Sequence, residues 1–380
     1  MISLQNQNKY DVNQPEHIYY SADMLNSNST GDASPQPLIF NESRNSHIIN
    51  CAENYNVSIM RFSFDSPLLP IFIPQIQVLQ TDINKTVYSI TLSYKTFSAT
   101  TFVQYIPSDM TQPLPNSPFN SVDYSSEYYY MFSYQKWISF VNNTFITCFN
   151  SLNALVIAGG QVLPSLNVPF MEIDPINLTC ILNCDILGYN STLANPINIY
   201  FNTAMYTIFT FFQYTRYGSG YLNGKNYLLN INAYNNTSLM LNSAGVSYTT
   251  IQVYQEGSSC SLMNPVESIV VTTNMPIVGE IVAQPLVYGS SGSNHLQSGI
   301  PMIAPILNDC QIPFTALNNY RPNVNYQVVS EYRLVNLYGS NAISQIQMNF
   351  YWRDKFNNLH QIYLGSNCGA SIKLLFRLKK

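Results

Sequence analysis

The segment Tyr55–Asp65 carries the clearest alternation of apolar and polar residues in the chain. Apolar residues occupy odd-numbered positions in its first half and even-numbered positions afterwards, with the change of phase at Met60. Because side chains of a strand alternate between its two faces, a one-residue slip predicts a β-bulge, which bends a sheet. The next segment, Pro67–Pro74, contains three prolines and is otherwise apolar. Prolines at this density exclude a helix and a central strand, so we expect a bent strand followed by an extended, buried connector.

A second periodicity, of three and four residues, predicts one long helix between Tyr134 and Leu152. Its apolar residues form a single stripe, which is more typical of packing against a sheet than of a ligand site. A shorter helix is predicted after Asn202, a suitable N-cap. The stripe of the long helix consists of Tyr134, Trp137, Ile138, Val141, Phe145, Cys148, Phe149 and Leu152.

Many short strand patterns, each bounded by Gly, Pro, Asn or Ser, account for most of the remaining chain. Few helices and many short strands indicate an antiparallel sandwich or barrel, and a jelly roll is the natural choice. The fold class predicted is therefore all-β. The clearest strands are predicted at Tyr88–Tyr94, Ser268–Thr273, Gln345–Trp352 and Ser371–Leu378.

Residues 1–50 are polar and irregular, with scattered apolar pairs such as Tyr19 and Tyr20. This composition predicts an extended N-terminal arm that becomes ordered only where it lies on a neighbouring molecule. The two tyrosines are then candidate contacts of the arm, and residues 51–380 form the barrel. On this interpretation, deletion of residues 1–50 leaves the barrel folded.

Charged residues make up only 9% of the chain, against about 25% in typical globular proteins, and 29 tyrosines are present. A genome rich in A and T would enrich Asn, Tyr, Ile and Phe, but it would also enrich Lys, and Lys and Arg together number 16. Composition bias alone therefore does not explain the missing charge. A surface poor in charge and rich in Tyr is typical of one covered by partners.

Basic residues concentrate at the C-terminal end of a chain whose net charge is −4. Six of the 16 lie from Arg353 onward, where Asp354 is the single acidic residue. A solvated terminal tail is the slightly favoured interpretation of this segment, and contact with nucleic acid or with an acidic neighbouring subunit is the functional alternative. The candidate contact residues are Lys373, Arg377, Lys379 and Lys380.

No arrangement of residues in the sequence predicts catalysis, a cofactor or a bound metal. The four histidines are far apart, and no phosphate-binding loop or hydrolase motif is present. The seven cysteines are odd in number, widely spaced and preceded by no secretion signal, which indicates reduced, mostly buried thiols. No apolar run reaches the length of about 18 residues that a membrane span requires. We therefore expect a protein that is not an enzyme.

The stretch Arg44–Pro74 and five further segments, in order along the chain, resemble the minor capsid (penton) proteins of virophages and Polinton-like viruses, and the Sputnik-type members most. The similarity includes the aromatic run YYYMFSYQKWISFVNNTF, which starts at Tyr128, and the segment IYFN, which ends at Asn202. One departure is Met263, where the family pattern has a Trp. The other three similar segments are Asn264–Glu280, Tyr351–Asp354 and Ile372–Phe376.

The resemblance implies a structural virion protein with a single jelly-roll barrel, a few helices and an insertion, expected in roughly 112–265. It also implies a homopentamer at each icosahedral five-fold vertex, in contact with a double-jelly-roll major capsid protein. Such a protein is located in the virion and synthesised in the host cytoplasm or viral factory. Further partners to consider are packaged DNA, through the basic C-terminus, and a host or giant-virus surface glycan.

The alternative function is a jelly-roll carbohydrate-binding or host-attachment module, because jelly rolls also serve as lectins. The two functions predict different behaviour of the purified protein. A vertex protein assembles into a ring by heterologous contacts, whereas a lectin binds glycan as a small soluble oligomer.

Overall fold

The computed structural model describes residues 15–27, 35–78, 80–108, 112–116, 122–217, 224–232, 235–282, 286–288, 294–296, 302–311, 322–329 and 333–379. Within these residues the helices are α1 (Tyr134–Ala158), α2 (Ile186–Tyr189), α3 (Thr203–Ile208) and α4 (Cys260–Met263), with 3-10 turns at Ala52–Asn54 and Glu127–Tyr129. The strands are β1 (His17–Leu25), β2 (Gln36–Pro37), β3 (Ile39–Ser43), β4 (Tyr55–Asp65), β5 (Lys85–Tyr94), β6 (Phe97–Gln104), β7 (Phe170–Asp174), β8 (Thr179–Asp185), β9 (Asn198–Phe201), β10 (Tyr214–Arg216), β11 (Tyr227–Leu229), β12 (Asn236–Leu241), β13 (Ser247–Tyr254), β14 (Ser268–Thr273), β15 (Glu280–Val282), β16 (Leu286–Tyr288), β17 (Asn294–Leu296), β18 (Met302–Ala304), β19 (Ile306–Gln311), β20 (Asn323–Gln327), β21 (Val335–Asn336), β22 (Gln345–Arg353), β23 (Leu359–Gln361), β24 (Tyr363–Leu364) and β25 (Gly369–Leu378).

The chain forms two compact units. The jelly-roll unit contains the elements up to Leu69 and from Val266 onward, and the second unit runs Pro70–Pro265. The second unit therefore lies in sequence between β4 and β14. It begins earlier than the insertion predicted at roughly 112–265, because the chain leaves the jelly-roll unit within the proline-rich connector.

Eight strands of the jelly-roll unit form the main part of two antiparallel sheets, and the short strands β21 and β23 add a fifth strand to each, paired with β4 and β22. The first has the order β1-β25-β4-β20, and the second has the order β3-β22-β14-β19. Counted in chain order, the first of these strands pairs with the eighth, the second with the seventh, the third with the sixth and the fourth with the fifth. This is an antiparallel chain hairpin rolled into two Greek keys, which confirms the predicted jelly roll.

The β-bulge predicted at Met60 is present in β4. Strand β25 pairs with β4 through Lys373 opposite Arg61 and then Leu374 opposite Ile59, so that Met60 has no partner in the ladder. The apolar residues of β4 on both sides of the bulge are buried. The slip in the sequence pattern therefore keeps both halves of the strand facing the same core.

The structure contradicts the prediction that residues 1–50 lie outside the barrel. Strand β1 pairs with β25 over nine positions, from His17 opposite Arg377 to Leu25 opposite Gly369. Strand β3 pairs with β22. Both are edge strands with few buried residues, so their alternation is weak in the sequence, and they become ordered by pairing with strands at the far end of the chain. Residues 1–14 and 28–34 of the predicted arm lie outside the described residues.

Aromatic side chains from both sheets meet in the core of the jelly-roll unit. The ring of Phe350, on the second sheet, is 5.3 Å from that of Phe62 and 6.1 Å from that of Phe64, both edge-on. Phe350 is also 5.8 Å from Phe40, its neighbour on β3. Edge-to-face aromatic pairs contribute about 0.5–1.5 kcal/mol beyond the area that they bury. This cluster therefore joins the two sheets.

The second unit contains two further antiparallel sheets and the long helix. One sheet has the order β10-β11-β9-β5-β6 and the other has the order β12-β13-β8-β7. Helix α1 spans Tyr134–Ala158, and every residue of its predicted apolar stripe is buried. Trp137 of α1 lies 4.9 Å from Phe72 and 5.3 Å from Tyr88, measured between ring centroids. The prediction that the stripe packs on a sheet is confirmed, as is the N-cap at Asn202, whose Oδ1 accepts a hydrogen bond from Met205 N at 3.0 Å.

A buried carboxylate organises the turn between β22 and β23. Asp354 is fully buried and accepts hydrogen bonds from the backbone amides of Phe356 (2.7 Å) and Asn358 (3.0 Å). Its Oδ2 also lies 2.9 Å from Nε2 of His360, whose ring stacks on Trp352 at 4.1 Å. Burial by itself raises the pKa of Asp354, but the hydrogen bonds from His360, Asn358 and the turn outweigh it and lower the pKa below its ordinary value of 3.8.

Asp354→Asn is expected to destabilise the jelly-roll unit by about 2–3 kcal/mol at pH 7, because the amide cannot replace every accepted hydrogen bond. A carboxyl whose pKa is lowered on folding stabilises the fold above its unfolded pKa and loses that contribution as the pH falls through the folded pKa. The difference between wild type and variant should therefore shrink below pH 3.8. Guanidinium unfolding of both proteins between pH 5 and pH 2 measures this difference in free energy of unfolding. A difference that stays constant with pH would show that the ionised carboxylate of Asp354 does not stabilise the fold.

Candidate interaction surfaces

The outward face of the first jelly-roll sheet carries a cluster of basic residues that includes two of the predicted contact residues. Along β25, Ile372, Leu374 and Phe376 are buried in the core, and Lys373 and Arg377 lie on the opposite, outward face. Arg61 of β4 lies directly opposite Lys373, and His17 of β1 lies directly opposite Arg377. We call these four residues the basic face: His17, Arg61, Lys373 and Arg377.

Two like charges of the basic face lie side by side, because Arg61 is directly opposite Lys373. Residues directly opposite each other in an antiparallel pair have Cβ atoms about 4.5–5.5 Å apart, and like charges there are destabilising. The ion pairs found among the described residues involve Arg44, Arg333, Arg353 and His360, and none of them involves a residue of the basic face. The pair Arg61 and Lys373 therefore costs stability in the isolated chain.

The same outward surface becomes acidic toward the opposite end of the strands. Asp23 lies opposite Ser371, two residues along β25 from Lys373, and Asp65 accepts a hydrogen bond from Gly369 N at 2.7 Å. The two carboxylates line a shallow depression of 350 Å³ together with Asn323 and Asn325. Because a strand rises about 3.4 Å per residue, the acidic end lies within about one Debye length of the basic face. The whole surface is therefore bipolar.

The two other predicted basic residues do not join the basic face. Lys379 donates a hydrogen bond from Nζ to the carbonyl of Leu337 at 2.7 Å, and its backbone amide bonds Asn54 O at 2.8 Å. Its charge is thus used to hold the end of the chain against the jelly-roll unit. Lys380 lies outside the described residues. The other two members of the basic face are instead Arg61 and His17. Both are far from β25 in the sequence, so residue spacing could not have predicted that they lie beside it.

The tyrosines proposed as arm contacts lie on opposite faces of β1. Tyr19 is 58% exposed, and the ammonium of Lys373 lies 5.2 Å from its ring centroid, so Tyr19 borders the basic face. Tyr20 is buried, and its hydroxyl donates a hydrogen bond to Glu42 of β3. Burial first, and then this bond, raise the pKa of Tyr20, while the bonds from Tyr20 and Arg44 lower the pKa of Glu42. Tyr20 thus links the two sheets within the chain, and Tyr19 alone is placed to meet a neighbour.

The outward face of the second jelly-roll sheet is different in chemistry, since it carries neutral amides on β22 and β3, with the ion pair between Arg353 and Asp309 farther along β22. Gln345 donates to Asn41 across the β22–β3 pair at 3.1 Å, and Gln347 donates to Asn349 along β22 at 3.1 Å. These four residues form the amide face. Their alternation with the buried residues of β22 is visible in the sequence, but the neighbouring position of Asn41 is not. The jelly-roll unit therefore presents two unlike outward surfaces.

The buried thiols do not form a chemical site. Cys148, Cys180, Cys184, Cys260 and Cys310 are buried and free, as the sequence predicted for most of the cysteines. Burial raises the pKa of Cys260 to about 11 and that of Cys310 to about 12. At neutral pH such thiols are protonated and unreactive.

Neither a metal centre nor a membrane helix is found in the described part of the chain. No group of three or more His, Cys, Asp and Glu side chains among these residues is placed to hold a metal ion. Helix α1 and the other described helices are too short or too polar to span a bilayer.

Comparison with known proteins identifies the family. The family model described as Sputnik minor capsid protein V18/19 matches residues 18–378, which is nearly the whole chain. The chain belongs to the Sputnik minor capsid protein V18/19 family. It is therefore a structural capsid protein, and the resemblance predicted from the sequence is confirmed.

Two proteins of Sputnik virophage match different shares of this minor capsid chain. The uncharacterized protein V18 is 32% identical over 153 residues, covering 38% of this chain and 90% of V18. The structural protein V19 is 26% identical over 191 residues, covering 50% of this chain and 84% of V19.

Solved structures agree with the family assignment. A chain in the cryo-EM structure of Sputnik virophage superposes with a TM-score of 0.82 at 26% identity, covering 96% of this chain and 99% of that one. The crystal structure of the mavirus penton protein superposes with a TM-score of 0.58 at 15% identity, covering 96% and 100%. The second likeness, at this identity, establishes a shared fold. This V18/19 family member thus has the fold of a penton protein.

Proposed function

We propose that this minor capsid protein forms a homopentamer at the five-fold vertices of an icosahedral capsid, where it contacts the major capsid protein. The observation that carries the proposal is the pair of unlike outward surfaces on the jelly-roll unit. A closed ring requires heterologous contacts, in which one patch of a subunit meets a different patch of the next. A bipolar surface on one sheet and a neutral amide face on the other supply two such patches.

The bipolar surface favours a protein partner over packaged DNA. A duplex presents uniform negative charge, and the carboxylates of Asp23 and Asp65 would face its phosphates close to the basic face. A protein surface of alternating sign can satisfy both ends at once. We therefore assign the basic face to contact with a neighbouring capsid subunit, with Tyr19 at its border.

The second unit, Pro70–Pro265, is proposed to be an insertion carried by the jelly roll. It is placed between the third and fourth strands of the eight, and the order of the strands around it is unbroken. A long excursion between two strands of a barrel is tolerated because closing a longer loop adds little entropy cost. The jelly-roll unit would then supply assembly, and the second unit would add a function of its own.

The native mass of the purified full chain tests the pentamer. Light scattering at low micromolar concentration should give five times the chain mass of 43.0 kDa, or larger shells when the major capsid protein is added. A monomer that stays a monomer with the major capsid protein, and that binds glycans, would instead support the attachment module.

Neutralising the basic face should weaken assembly. The variant Arg61→Gln/Lys373→Gln/Arg377→Gln is expected to lower the association rate with the capsid partner about tenfold at low salt, with a smaller effect at high salt. The matched control, Lys95→Gln/Lys136→Gln/Lys355→Gln, removes the same charge from positions elsewhere on the surface.

Two results would overturn the assignment of the basic face. One is equal assembly by the face variant and the charge-matched control. The other is a mobility shift of duplex DNA by wild type that the face variant alone abolishes, which would move the contact to the packaged genome.

A further inference from the structure

A row of small hydroxyl side chains lies on one face of the β5–β6 sheet, opposite the face that packs on α1. On β6, Ser98 and Thr100 alternate with residues that face α1, and on β5 they are paired with Ser93 and Thr91. The Oγ1 atoms of Thr91 and Thr100 are 2.8 Å apart. Ser98 and Thr100 are exposed, whereas Thr91 and Ser93 are buried, so the part of the row that is open to solvent lies on β6.

A pocket of 670 Å³ is built on this floor. Besides the hydroxyl row, its lining includes Asn202 and Thr203 at the N-terminal end of α3, Gly224 and Asn226 before β11, and Phe102 of β6. The volume lies within the range of about 300–1,000 Å³ that is typical of small-molecule sites. We call it the hydroxyl pocket, and its principal residues are Ser98, Thr100, Phe102, Thr203, Gly224 and Asn226.

Gly224 makes the close wall of the hydroxyl pocket possible. Its φ is +78°, and a β-carbon there would lie 2.8 Å from Oγ1 of Thr91. A larger residue would therefore push this segment away from the sheet. Glycine at this position allows the segment to lie close to the sheet. The pairing of β5 with β6 does not require it, because the hydroxyls of Thr91 and Thr100 hydrogen-bond each other directly.

Several polar groups in the hydroxyl pocket are not used by the fold. Asn202 is fully engaged, because its side chain caps α3 and bonds the backbone of Ser89 and Val87. By contrast, no hydrogen bond between described residues involves the side chain of Ser98, Thr203 or Asn226. These groups can both donate and accept, as the hydroxyls of a sugar do.

Phe102 offers the apolar surface that such a ligand also needs. The ring is 37% exposed, so part of it is open to a molecule in the pocket. The ammonium of Lys85 lies 5.0 Å from the centroid of the Phe102 ring. A sugar ring has one face of C–H groups and an edge of hydroxyls, and an exposed aromatic ring beside free hydroxyl and amide groups matches both.

We propose that the hydroxyl pocket binds a neutral glycan. None of the described residues that line it is charged, so they select neither an anionic nor a cationic ligand. The site lies wholly in the second unit, and it differs from an attachment site on the jelly roll itself. Glycan binding at this site does not require the proposed pentamer, so a failure of glycan binding and a failure of assembly can be told apart by experiment.

The test uses the purified full chain on an array of neutral hexose and N-acetylhexosamine oligosaccharides, with sialylated and sulfated oligosaccharides on the same surface. Binding to one or more neutral structures is expected. Titration calorimetry with the best neutral oligosaccharide then measures affinity. Phe102→Ala should weaken it at least tenfold, and the isosteric Thr203→Val should weaken it several-fold.

Phe211→Ala is the matched control, because Phe211 is an exposed phenylalanine of the same unit, 42% exposed, outside the pocket. It should change affinity less than twofold. Thermal unfolding of each variant checks that the unit remains folded. The proposal is overturned if wild type binds no neutral glycan, if it binds only the sialylated or sulfated ones, or if Phe102→Ala and Phe211→Ala have equal effects.

Discussion

A chain that lacks residues 2–26 is expected to fail to form the jelly-roll unit, whereas a chain that lacks residues 2–14 should fold as wild type does. The longer deletion removes β1, which covers one edge of β25 over nine paired positions. It also removes Tyr20, whose buried side chain bonds Glu42 in the other sheet. The shorter deletion removes no residue of β1.

The size of the expected effect follows from the hydrogen bonds and the buried aromatic side chain that the longer deletion removes. Each ladder hydrogen bond contributes about 1 kcal/mol, and a buried aromatic side chain contributes about 1.5–3 kcal/mol. Over nine positions the total approaches the stability of about 5–15 kcal/mol that a whole domain has. The new edge of β25 would in addition be open to pairing with other chains, so aggregation is the expected form of failure.

Soluble yield, near-ultraviolet circular dichroism and the cooperativity of thermal unfolding distinguish the two deletions. Equal behaviour of both chains would restore the interpretation of residues 1–50 as an arm outside the fold. The same measurement on a chain that lacks residues 2–50 tests that interpretation directly, since it also removes β3.

Phe350→Ala is expected to destabilise the jelly-roll unit by about 3–5 kcal/mol, the usual cost of a large cavity in a packed core. Phe350 is 1% exposed and contacts Phe62 and Phe64 of the facing sheet. Phe350→Leu keeps most of the volume and should cost about 1–2 kcal/mol. Tyr338→Ala, at a side chain that is 55% exposed, should stay within about 0.5 kcal/mol of wild type.

Fluorescence can isolate the unit in which the cavity is made. The chain has two tryptophans, and a Trp137→Phe background leaves Trp352 in the jelly-roll unit as the reporter. Denaturant titration in this background gives the change in free energy of unfolding. If Phe350→Ala and Tyr338→Ala shift the midpoint equally, Phe350 does not join the sheets as the ring contacts indicate.

Features set by local periodicity could be predicted from the sequence. The bulge at Met60, the buried stripe of α1 and the cap at Asn202 were all predicted at the residues where the structure has them. The strand β4 and the helix α1 each bury one side. Burial of one side leaves a period of two residues in the sequence of a strand and of 3.6 residues in that of a helix. The family was predicted on different grounds, from the resemblance of an ordered series of segments to a known family.

The candidate surfaces could be predicted only in part. Lys373 and Arg377 were found because they lie close together in a basic segment. Their partners Arg61 and His17 come from other parts of the chain and reach the same face through pairing with β25. The hydroxyl pocket likewise combines residues from β6, α3 and the segment around Gly224, and no spacing in the sequence relates them.

The sequence by itself determined the class of fold, the strongest helix, the phase of the central strand and the family to which this capsid protein belongs. Only the tertiary structure decided that β1 and β3 are barrel strands, that the basic face has an acidic end and that the second unit carries a pocket. The physical reason is the range of the interactions. Periodicity records how each element meets the core, whereas neighbours in a jelly roll are separated by up to the length of the chain, and their pairing is decided only when the whole hairpin closes.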